Sequence, residues 1–388
     1  MVLVNRPRIL FVIVAAVVAG GAIFAIISNS THRGSVQITT TATPGSIISP
    51  GAMVAASPPN AFGSIQPLNE ASKELLLASD SKDSQKILGK LRAYLLSLPK
   101  SVATQLIAEF LNQKSDAGTK LEFSVDKNGL LSGAPTLRIF LLDLLEQIDP
   151  AAASQCAMQI LSTPGSPDEW AVSLRNYARY DTSPAGQSVI REKIQEMLSN
   201  ASWRKDPSVG FLEAFDTIVY SHDTSLTPTL AAMVSDPNDR AVAHAAYLAL
   251  DRLTIQDTVA VLTQLEAEPS LMQGHELTRA NYFARADIAV PDQRSLVESY
   301  LLNASHTPQE LNTFAGLFPN ENFMLSNNLL TQNQTPTGLE IAQRDRAALQ
   351  VVQNWLADPR FQPVLPQLQT IQKRLQIFVN QANAQSSQ

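Results

Sequence analysis

Apolar residues recur every three or four positions through most of the chain from Leu68 onward. This spacing places them on one side of an α-helix, so it indicates amphipathic helices with one buried face. The pattern predicts helices near residues 83–98, 100–113, 135–148, 150–162, 168–180, 184–199, 207–221, 226–235, 239–253, 255–267, 275–285, 291–303, 307–317, 338–357 and 363–383. The sequence therefore predicts an all-α domain over residues 68–388, built as an irregular α-α helical repeat.

Several predicted helices begin where a residue with a capping oxygen precedes proline. The oxygen accepts a hydrogen bond from a free backbone N–H of the first turn, and proline at the first helical position lacks an N–H that would need a partner. These pairs are Asp149-Pro150, Ser183-Pro184, Asp206-Pro207, Asp236-Pro237 and Thr307-Pro308. Many short helices with such starts favour stacked helical pairs over one globin-like core.

One stretch, KLEFSVDKNGLL, interrupts the helical pattern. Apolar and polar residues alternate from Leu121 to Val125, which is typical of a half-buried strand. The Asn128-Gly129 pair that follows is typical of a type I′ turn between two strands. We therefore predict a small β-hairpin at residues 119–131 that projects from the helical domain.

The stretch from Ser225 to Leu253 has the features of a complete helix-turn-helix unit. Thr227 is predicted to cap the first helix, with Pro228 at its first position. The turn Asp-Pro-Asn-Asp follows, and Asp236 or Asn238 is expected to cap the second helix. The apolar stripe of that second helix consists of Val242, Ala245, Ala246, Ala249, Leu250 and Leu253.

This unit resembles the HEAT repeats, a family of α-helical solenoid units. The matching features are the leucine-containing first helix, the Asp-Pro-Asn-Asp turn, Val242, and the AAxxAL run from Ala245 to Leu250. Ala243 and His244 stand where members of the family often have an arginine. The resemblance implies helical pairs stacked into a solenoid that binds proteins or peptides and that has no catalytic residues.

The N-terminal region contains an uncharged apolar stretch at residues 9–27, preceded by Arg6 and Arg8. Its length is close to the roughly 20 residues that cross a bilayer as a helix. Small residues within it also fit the cleavage site of a signal peptide. We predict a membrane anchor or signal segment at residues 1–28, with one transmembrane helix favoured. The basic residues would keep the N-terminus cytoplasmic and place residues 29–388 outside the cytoplasm.

Residues 29–67 are rich in Ser, Thr, Gly, Pro and Ala, with few charges and no sustained periodicity. This composition is typical of an extended, flexible linker. We predict that the segment holds the helical domain away from the membrane.

The composition narrows the range of functions. The chain is 45% hydrophobic and only 16% charged, with a formal net charge of −6, so a large core can form. Lys and Arg are not concentrated in any stretch, which argues against nucleic acid as a partner. The single cysteine, Cys156, lies in an apolar run and is interpreted as a small buried side chain. One cysteine cannot form an intrachain disulfide or a cysteine metal cluster.

The catalytic motifs that the chain approaches are incomplete. His275-Glu276 begins like the zinc-protease signature, but Arg279 stands where the second histidine ligand belongs. Ser97 and Lys100 have the spacing of the Ser-x-x-Lys nucleophile motif, but its Ser-Asp-Asn and Lys-Thr-Gly partners are absent. Dinucleotide, phosphate-loop and nucleophile-elbow motifs are also absent. The sequence therefore predicts no catalytic residue, cofactor or metal site.

The predicted helix EWAVSLRNYARY, residues 169–180, is the richest candidate for a partner-binding surface. One of its faces is predicted to be core and carries Trp170, Leu174, Tyr177 and Ala178. The residues expected at the sides or outside are Arg175, Asn176, Arg179 and Tyr180. Arginine and tyrosine are over-represented at interface hot spots, and an asparagine amide can bind an extended backbone through both donor and acceptor. These four are the predicted partner-binding residues, beside the simpler interpretation of a solvated helix face.

These observations predict a membrane-anchored, extracytoplasmic scaffold that binds a protein or peptide partner without catalysis. The alternative is an exported hydrolase acting on an envelope polymer or peptide, with its site assembled between helices. A cluster of carboxylates or histidines with shifted pKa values in one pocket would favour that alternative. A third interpretation is a structural subunit of a membrane complex, in which the span packs against partners. The oligomeric state and the binding face stay open at this point.

Overall fold

The computed structural model describes residues 64–386, with the exceptions of residues 114 and 334. The described part is helical apart from two short strands. Its elements are α1 (Gln66–Leu77), α2 (Ser81–Ser97), α3 (Lys100–Asn112), β1 (Ser124–Val125), β2 (Leu131–Gly133), α4 (Leu137–Ile148), α5 (Pro150–Leu161), α6 (Pro167–Tyr180), α7 (Pro184–Ser199), α8 (Ala201–Lys205), α9 (Val209–Glu213), α10 (Asp216–Ser221), α11 (Thr227–Val234), α12 (Arg240–Gln256), α13 (Thr258–Ala267), α14 (Glu276–Phe283), α15 (Pro291–Leu302), α16 (Pro308–Leu317), α17 (Gly338–Ala357) and α18 (Leu365–Ser386). Short 3₁₀ helices lie at Thr224–Leu226, Pro269–Met272 and Pro359–Val364.

The predicted all-α architecture is confirmed for the described residues, and each predicted helical segment coincides with one or two observed helices. Helix α1 precedes the first predicted segment and begins within the last residues of the predicted linker. The predicted segment 207–221 is divided into α9 and α10. Where α9 ends and α10 begins, the N–H groups of Phe215 and Thr217 donate to carbonyl oxygens only three residues earlier, as in a 3₁₀ turn.

Three of the predicted helix caps are confirmed. The side chains of Asp149, Ser183 and Thr307 each accept a hydrogen bond from the first turn of their helices. Asp206 and Asp236 do not cap the N-terminus of a helix. After Asp206 the chain runs on to Ser208, whose hydroxyl caps α9, and Asp239 caps α12. The carboxylate of Asp236 is used locally, because it accepts from the N–H of Asn238 at 2.9 Å in the turn itself.

The predicted β-hairpin is confirmed, since β1 pairs with β2 in antiparallel register. Its turn differs from the predicted type I′ turn, which needs positive φ at both Asn128 and Gly129. Of these two, only Gly129 has a positive φ, of 75°. Asp126 organises a wider loop instead: its carbonyl oxygen accepts from Gly129, and its carboxylate accepts from the N–H of Asn128 at 2.7 Å.

The helix-turn-helix unit at Ser225 to Leu253 consists of α11 packed against α12. The predicted apolar stripe of α12 is buried, except that Ala245 is half-buried. Thr227 is not the cap of α11 but its first residue, and its buried hydroxyl has no hydrogen-bond partner among the described residues. The chain enters α11 directly from the preceding 3₁₀ turn, which Asp223 caps, so the helix begins without a new cap.

The helices pack mainly against those that follow them by one or two places. Examples are α4 against α5 and α6, α11 against α12 and α13, and α16 against α18. The buried apolar side chains of these helices form one continuous core. Each pair of helices therefore depends on its neighbours along the chain to cover its apolar surface.

The predicted membrane anchor at residues 9–27 lies outside the described residues, as does nearly all of the predicted linker. Among the described helices, none combines the length and the apolar character that crossing a bilayer requires. The last residues of the predicted linker are seen, and part of them belongs to α1.

Candidate functional site

A long connection joins α16 to α17, and we call its residues 318–333 the strap. The described residues of this connection, 318–337, have no regular secondary structure. Connections longer than about 12–15 residues without secondary structure are uncommon, and most are functional segments or linkers. The strap packs onto the helices, because Phe318, Asn320, Asn328 and Leu329 are buried.

The C-terminal half of the strap is anchored on α10 and α12. The carboxylate of Asp216 accepts from the backbone N–H groups of Leu330 at 2.7 Å and Thr331 at 2.9 Å. The hydroxyl of Thr331 donates to the other oxygen of this carboxylate and accepts from Arg252. A single acidic side chain therefore holds two consecutive peptide groups of the strap.

The same part of the strap meets α6 and the hairpin. Arg179 donates to the carbonyl oxygen of Leu329 at 3.0 Å, and the amide of Asn327 donates to the carbonyl oxygen of Val125 at 3.0 Å. The backbone of Gly129 approaches so closely that an added Cβ would collide with the Leu329 carbonyl and with Arg179. The hairpin turn thus needs glycine both for its positive φ and for this contact.

The N-terminal half of the strap is anchored on α14 and the residues that follow it. The N–H of Asn320 donates to the carbonyl oxygen of Ala284 at 2.8 Å, and its side-chain amide donates to Asn281 at 2.8 Å. The carbonyl oxygen of Asn320 accepts from Arg285 at 3.1 Å. The guanidinium of Arg285 also lies over the ring of Phe323, 5.6 Å from its centroid. The contacts therefore again involve main-chain groups of the strap.

Between the two anchors, the middle of the strap is exposed. Met324 and Leu325 have 54% and 67% of their surface exposed. Large apolar side chains held outward between two fixed points are accessible to a partner. They are the part of the strap that the helices leave uncovered.

The residues that hold the strap belong to a series of arginine–carboxylate pairs, which we call the ion-pair ladder. Its members are Arg175–Asp143 at 2.7 Å, Arg179–Glu146 at 3.2 Å, Arg252–Asp216 at 2.8 Å and Arg285–Asp251 at 2.7 Å. The partners are 32, 33, 36 and 34 positions apart. Asp251 and Arg252 are adjacent in α12. Arg252 pairs with Asp216, which precedes it in the chain, whereas Asp251 pairs with Arg285, which follows it. The ladder therefore links α4 with α6, and it links α12 both with α10 and with the residues that follow α14.

Two of the four predicted partner-binding residues are not at the surface. The expectation that Arg175 and Asn176 lie at the sides or outside of the helix is wrong, because they are 0% and 1% exposed. Arg175 pairs with Asp143 and donates to the carbonyl oxygen of Gly129 at 2.9 Å, whereas Asn176 donates to that of Leu142 at 3.0 Å. Burial lowers the pKa of Arg175, and the charge of Asp143 opposes this shift. Arg175 and Asn176 are covered because α6 packs against α4, α5, α7 and α9 on several sides.

The other two predicted residues are accessible to different degrees. The side chain of Arg179 is 25% exposed and is already engaged by Glu146 and the strap. Tyr180 is 55% exposed at the end of α6, so it can contact a partner directly. The predicted core face of α6 is confirmed, since Trp170, Leu174, Tyr177 and Ala178 are buried.

Sequence reasoning missed Asp216, Arg252, Arg285 and the strap. Single Asp and Arg residues are common within helices. Only the regular sequence separation from their ion-pair partners would have distinguished Asp216, Arg252 and Arg285 from other residues of the same types. The strap can be recognised in the sequence as an interruption, because the helical pattern stops between the predicted helices 307–317 and 338–357. An asparagine-rich run without periodicity follows there.

One carboxylate beside the strap has unusual acid–base behaviour. Burial and the negative charge of Asp216 raise the pKa of Glu213 to about 7, and Arg252 opposes the rise. A carboxylate with a raised pKa beside a second carboxylate is a feature of acid–base catalysts. Here, however, both oxygens of Asp216 are occupied by the strap and by Arg252. Asp216 is therefore not free to meet a substrate.

The other motifs with potential chemistry have structural partners. The hydroxyl of Ser97 donates to a backbone carbonyl within its own helix, and Lys100 pairs with an aspartate that caps α5. Arg279 forms a buried two-bond pair with Glu310 at 2.8 and 2.9 Å. Cys156 is buried, which raises its pKa to about 11 and keeps the thiol protonated. In the described part of the chain, no three metal-ligating side chains are grouped to hold an ion.

No family model, curated protein or solved structure matches this chain. The resemblance to HEAT repeats consequently rests on residues 225–253 alone.

The first prediction concerns Arg175–Asp143, the fully buried pair of the ion-pair ladder. Arg175→Met should lower the free energy of unfolding by about 3–5 kcal/mol, because Asp143 would stay buried without its cation. Urea denaturation of the wild type and the variant would measure the difference. Arg360→Met, which removes an exposed pair with Asp358, is the control and should change stability little. Equal effects of the two changes would contradict the role assigned to the buried pair.

The second prediction concerns pH. Because folding raises the pKa of Glu213 from 4.5 to about 7, its contribution to stability is fully present below pH 4.5 and is lost as the pH rises through 7. Such a shift corresponds to at most about 3 kcal/mol. Glu213→Gln should therefore become more stable relative to the wild type as the pH rises from 5 to 8.

Denaturation midpoints at pH 5 and pH 8 would test this expectation. Glu109→Gln, a change at an exposed position of α3, is the matched control. A stability difference between wild type and Glu213→Gln that is the same at both pH values would refute the prediction.

Proposed function

We propose that the chain is an irregular HEAT-like helical-repeat scaffold that binds a protein or peptide partner without catalysis. We further propose that residues 9–27 anchor it in a membrane and that the helical domain lies outside the cytoplasm. The apolar stretch with its preceding basic residues supports the location, and the helical packing supports the architecture.

The repeat architecture is supported by the ion-pair ladder. Its arginine–carboxylate partners are 32–36 positions apart. This separation falls within the roughly 20–50 residues of one unit in helical-repeat proteins. A contact that returns at this separation is expected if each unit places a similar side chain against the unit before it.

The binding role rests on one observation: α6, α10 and the residues that follow α14 already hold the strap by its main chain. The peptide groups of Leu329, Leu330 and Thr331 are bonded by side chains of α6 and α10, and those of Asn320 are bonded by Ala284 and Arg285. Every polypeptide carries such groups, so this chemistry suits an extended partner segment as well.

The exposed centre of the strap is the surface that we assign to partner contact. Met324 and Leu325 are mostly exposed, although large apolar side chains gain about 1.5–3 kcal/mol on burial. Methionine is enriched at interfaces and adapts to irregular partner surfaces. Tyr180 offers a second exposed contact of the type found at hot spots.

The third prediction tests this surface. The double change Met324→Ser and Leu325→Ser should reduce crosslinked partner captured from native membranes at least about tenfold, because each lost contact removes more than 1 kcal/mol. The melting temperature should stay unchanged, since both side chains are exposed. Quantitative mass spectrometry of the captured material is the measurement.

Ile377→Ser, at a similarly exposed apolar position of α18, is the matched control and should retain capture. A chain that lacks residues 68–388 should capture nothing specific. The proposal fails if the double variant captures as much as the wild type, or if the wild type captures no stoichiometric partner.

The fourth prediction concerns location. The intact chain should stay in the membrane pellet after washing at alkaline pH, whereas a chain without residues 9–27 should be found in the soluble fraction. Protease added from the cytoplasmic side should leave the helical domain intact. Recovery of the intact chain in the soluble fraction would disprove the anchor.

A further inference from the structure

A small pocket lies where the strap crosses the ends of α12 and α14 and meets α17. Its volume is about 200 Å³, and its lining includes Ile255, Arg285, Val290, Gln293, Phe323 and Arg344. Pockets for drug-sized molecules and cofactors have volumes of about 300–1,000 Å³. This pocket therefore suits a group of the size of one amino-acid residue.

Three acceptor groups at this pocket are already used. One oxygen of Asp287 pairs with Nε of Arg344 at 3.0 Å, and the other accepts from the N–H of Ala289 at 3.0 Å. The side-chain oxygen of Gln293 accepts from the N–H of Asp287 at 2.7 Å. The carbonyl oxygen of Asn320 accepts from Arg285. A ligand that must donate hydrogen bonds therefore finds few acceptors here.

Several donors at the pocket are unused. The two terminal nitrogens of Arg344 and the side-chain nitrogen of Gln293 have no hydrogen-bond acceptor among the described residues. The Arg344 side chain is 34% exposed, so a ligand can reach it. The charges at the pocket are compensated, because Arg285 is held by two bonds to Asp251 and Arg344 pairs with Asp287, which also lines the pocket. The unused donors therefore favour a ligand that only accepts hydrogen bonds, and an ionised carboxylate is such a group.

The remaining wall of the pocket is apolar. Ile255 and Val290 are 39% and 40% exposed, and Phe323 is held across the pocket by its contact with Arg285. The ligand should therefore combine a carboxylate with an apolar group within the volume of one residue. The C-terminal residue of a polypeptide that ends in a leucine-like side chain has this combination.

We propose that this pocket binds the free C-terminal residue of the partner, with its carboxylate on Arg344 and Gln293 and its apolar side chain against Ile255, Val290 and Phe323. The assignment rests on the proposed function, because the pocket adjoins the strap-covered face at Asn320. It specifies which part of a partner is recognised there.

The test is a fluorescence-anisotropy titration of the full-length chain with labelled Ala-Ala-Ala-Ala-Leu. The peptide with a free carboxylate should bind at least about tenfold more tightly than the same peptide with a C-terminal amide. Arg344→Gln should abolish this difference. Arg346→Gln should preserve it, because Arg346 lies two positions away on the exposed side of α17 and bonds to Asn383.

Equal binding of the acid and the amide overturns the proposal, as does an unchanged preference in a folded Arg344→Gln variant or an absence of binding to the wild type. Competition by N-acetyl-leucine as effective as by the pentapeptide would assign the pocket to small free acids and overturn the assignment to a chain terminus. If peptide binding fails while Met324 and Leu325 still support partner capture, only the pocket assignment is lost. If both fail, the proposed function is lost with it.

Discussion

The buried ion pair between Arg175 and Asp143 joins four parts of the molecule. The Asp143 carboxylate on α4 accepts from Arg175 on α6 and from the N–H of Leu131 in β2, while Arg175 also donates to the carbonyl oxygen of Gly129. Gly129 in turn packs against the carbonyl of Leu329 in the strap. Removing two charges from water costs several kcal/mol per ion, and this cost is offset only when the buried groups are fully bonded. The hairpin supplies the bonds that complete the pair, so hairpin and pair depend on each other.

The other pairs of the ion-pair ladder connect further helices of the domain. Because Arg252 pairs with α10 and its neighbour Asp251 pairs with Arg285 after α14, one turn of α12 links the units on both sides of it. In the proposed helical-repeat architecture, contacts between neighbouring units would supply most of the stability. The strap adds contacts between residues 114, 150 and 202 positions apart. It therefore connects parts of the domain that lie far apart in the sequence, and should make unfolding more cooperative than neighbour contacts alone would.

The helices could be predicted because most of them bury one face, as in α12, where Val242, Ala246 and Leu250 are covered. The same rule failed for Arg175 and Asn176, because α6 is covered on several sides and its polar residues find partners inside the domain. The position of the strap could not be predicted from its residues. Its anchors are main-chain groups, which carry no signature in the sequence, and they meet side chains more than a hundred positions away. The exposed Tyr180 was found from its position outside the predicted core face of α6, whereas Arg344 on α17 and Gln293 on α15 come together only in the folded domain.

The covalent attachment of the strap limits how a partner can use this face. A segment tethered in the same chain competes with an effective concentration on the order of millimolar. A partner at micromolar concentration that made only the same main-chain contacts would therefore be outcompeted by about a thousandfold. It follows that a partner gains most by binding where the strap leaves surface open, at Met324 and Leu325 and at the pocket beside Phe323. In the proposed function the strap is a part of the binding surface, because it presents apolar side chains at fixed positions and contributes Asn320 and Phe323 to the pocket.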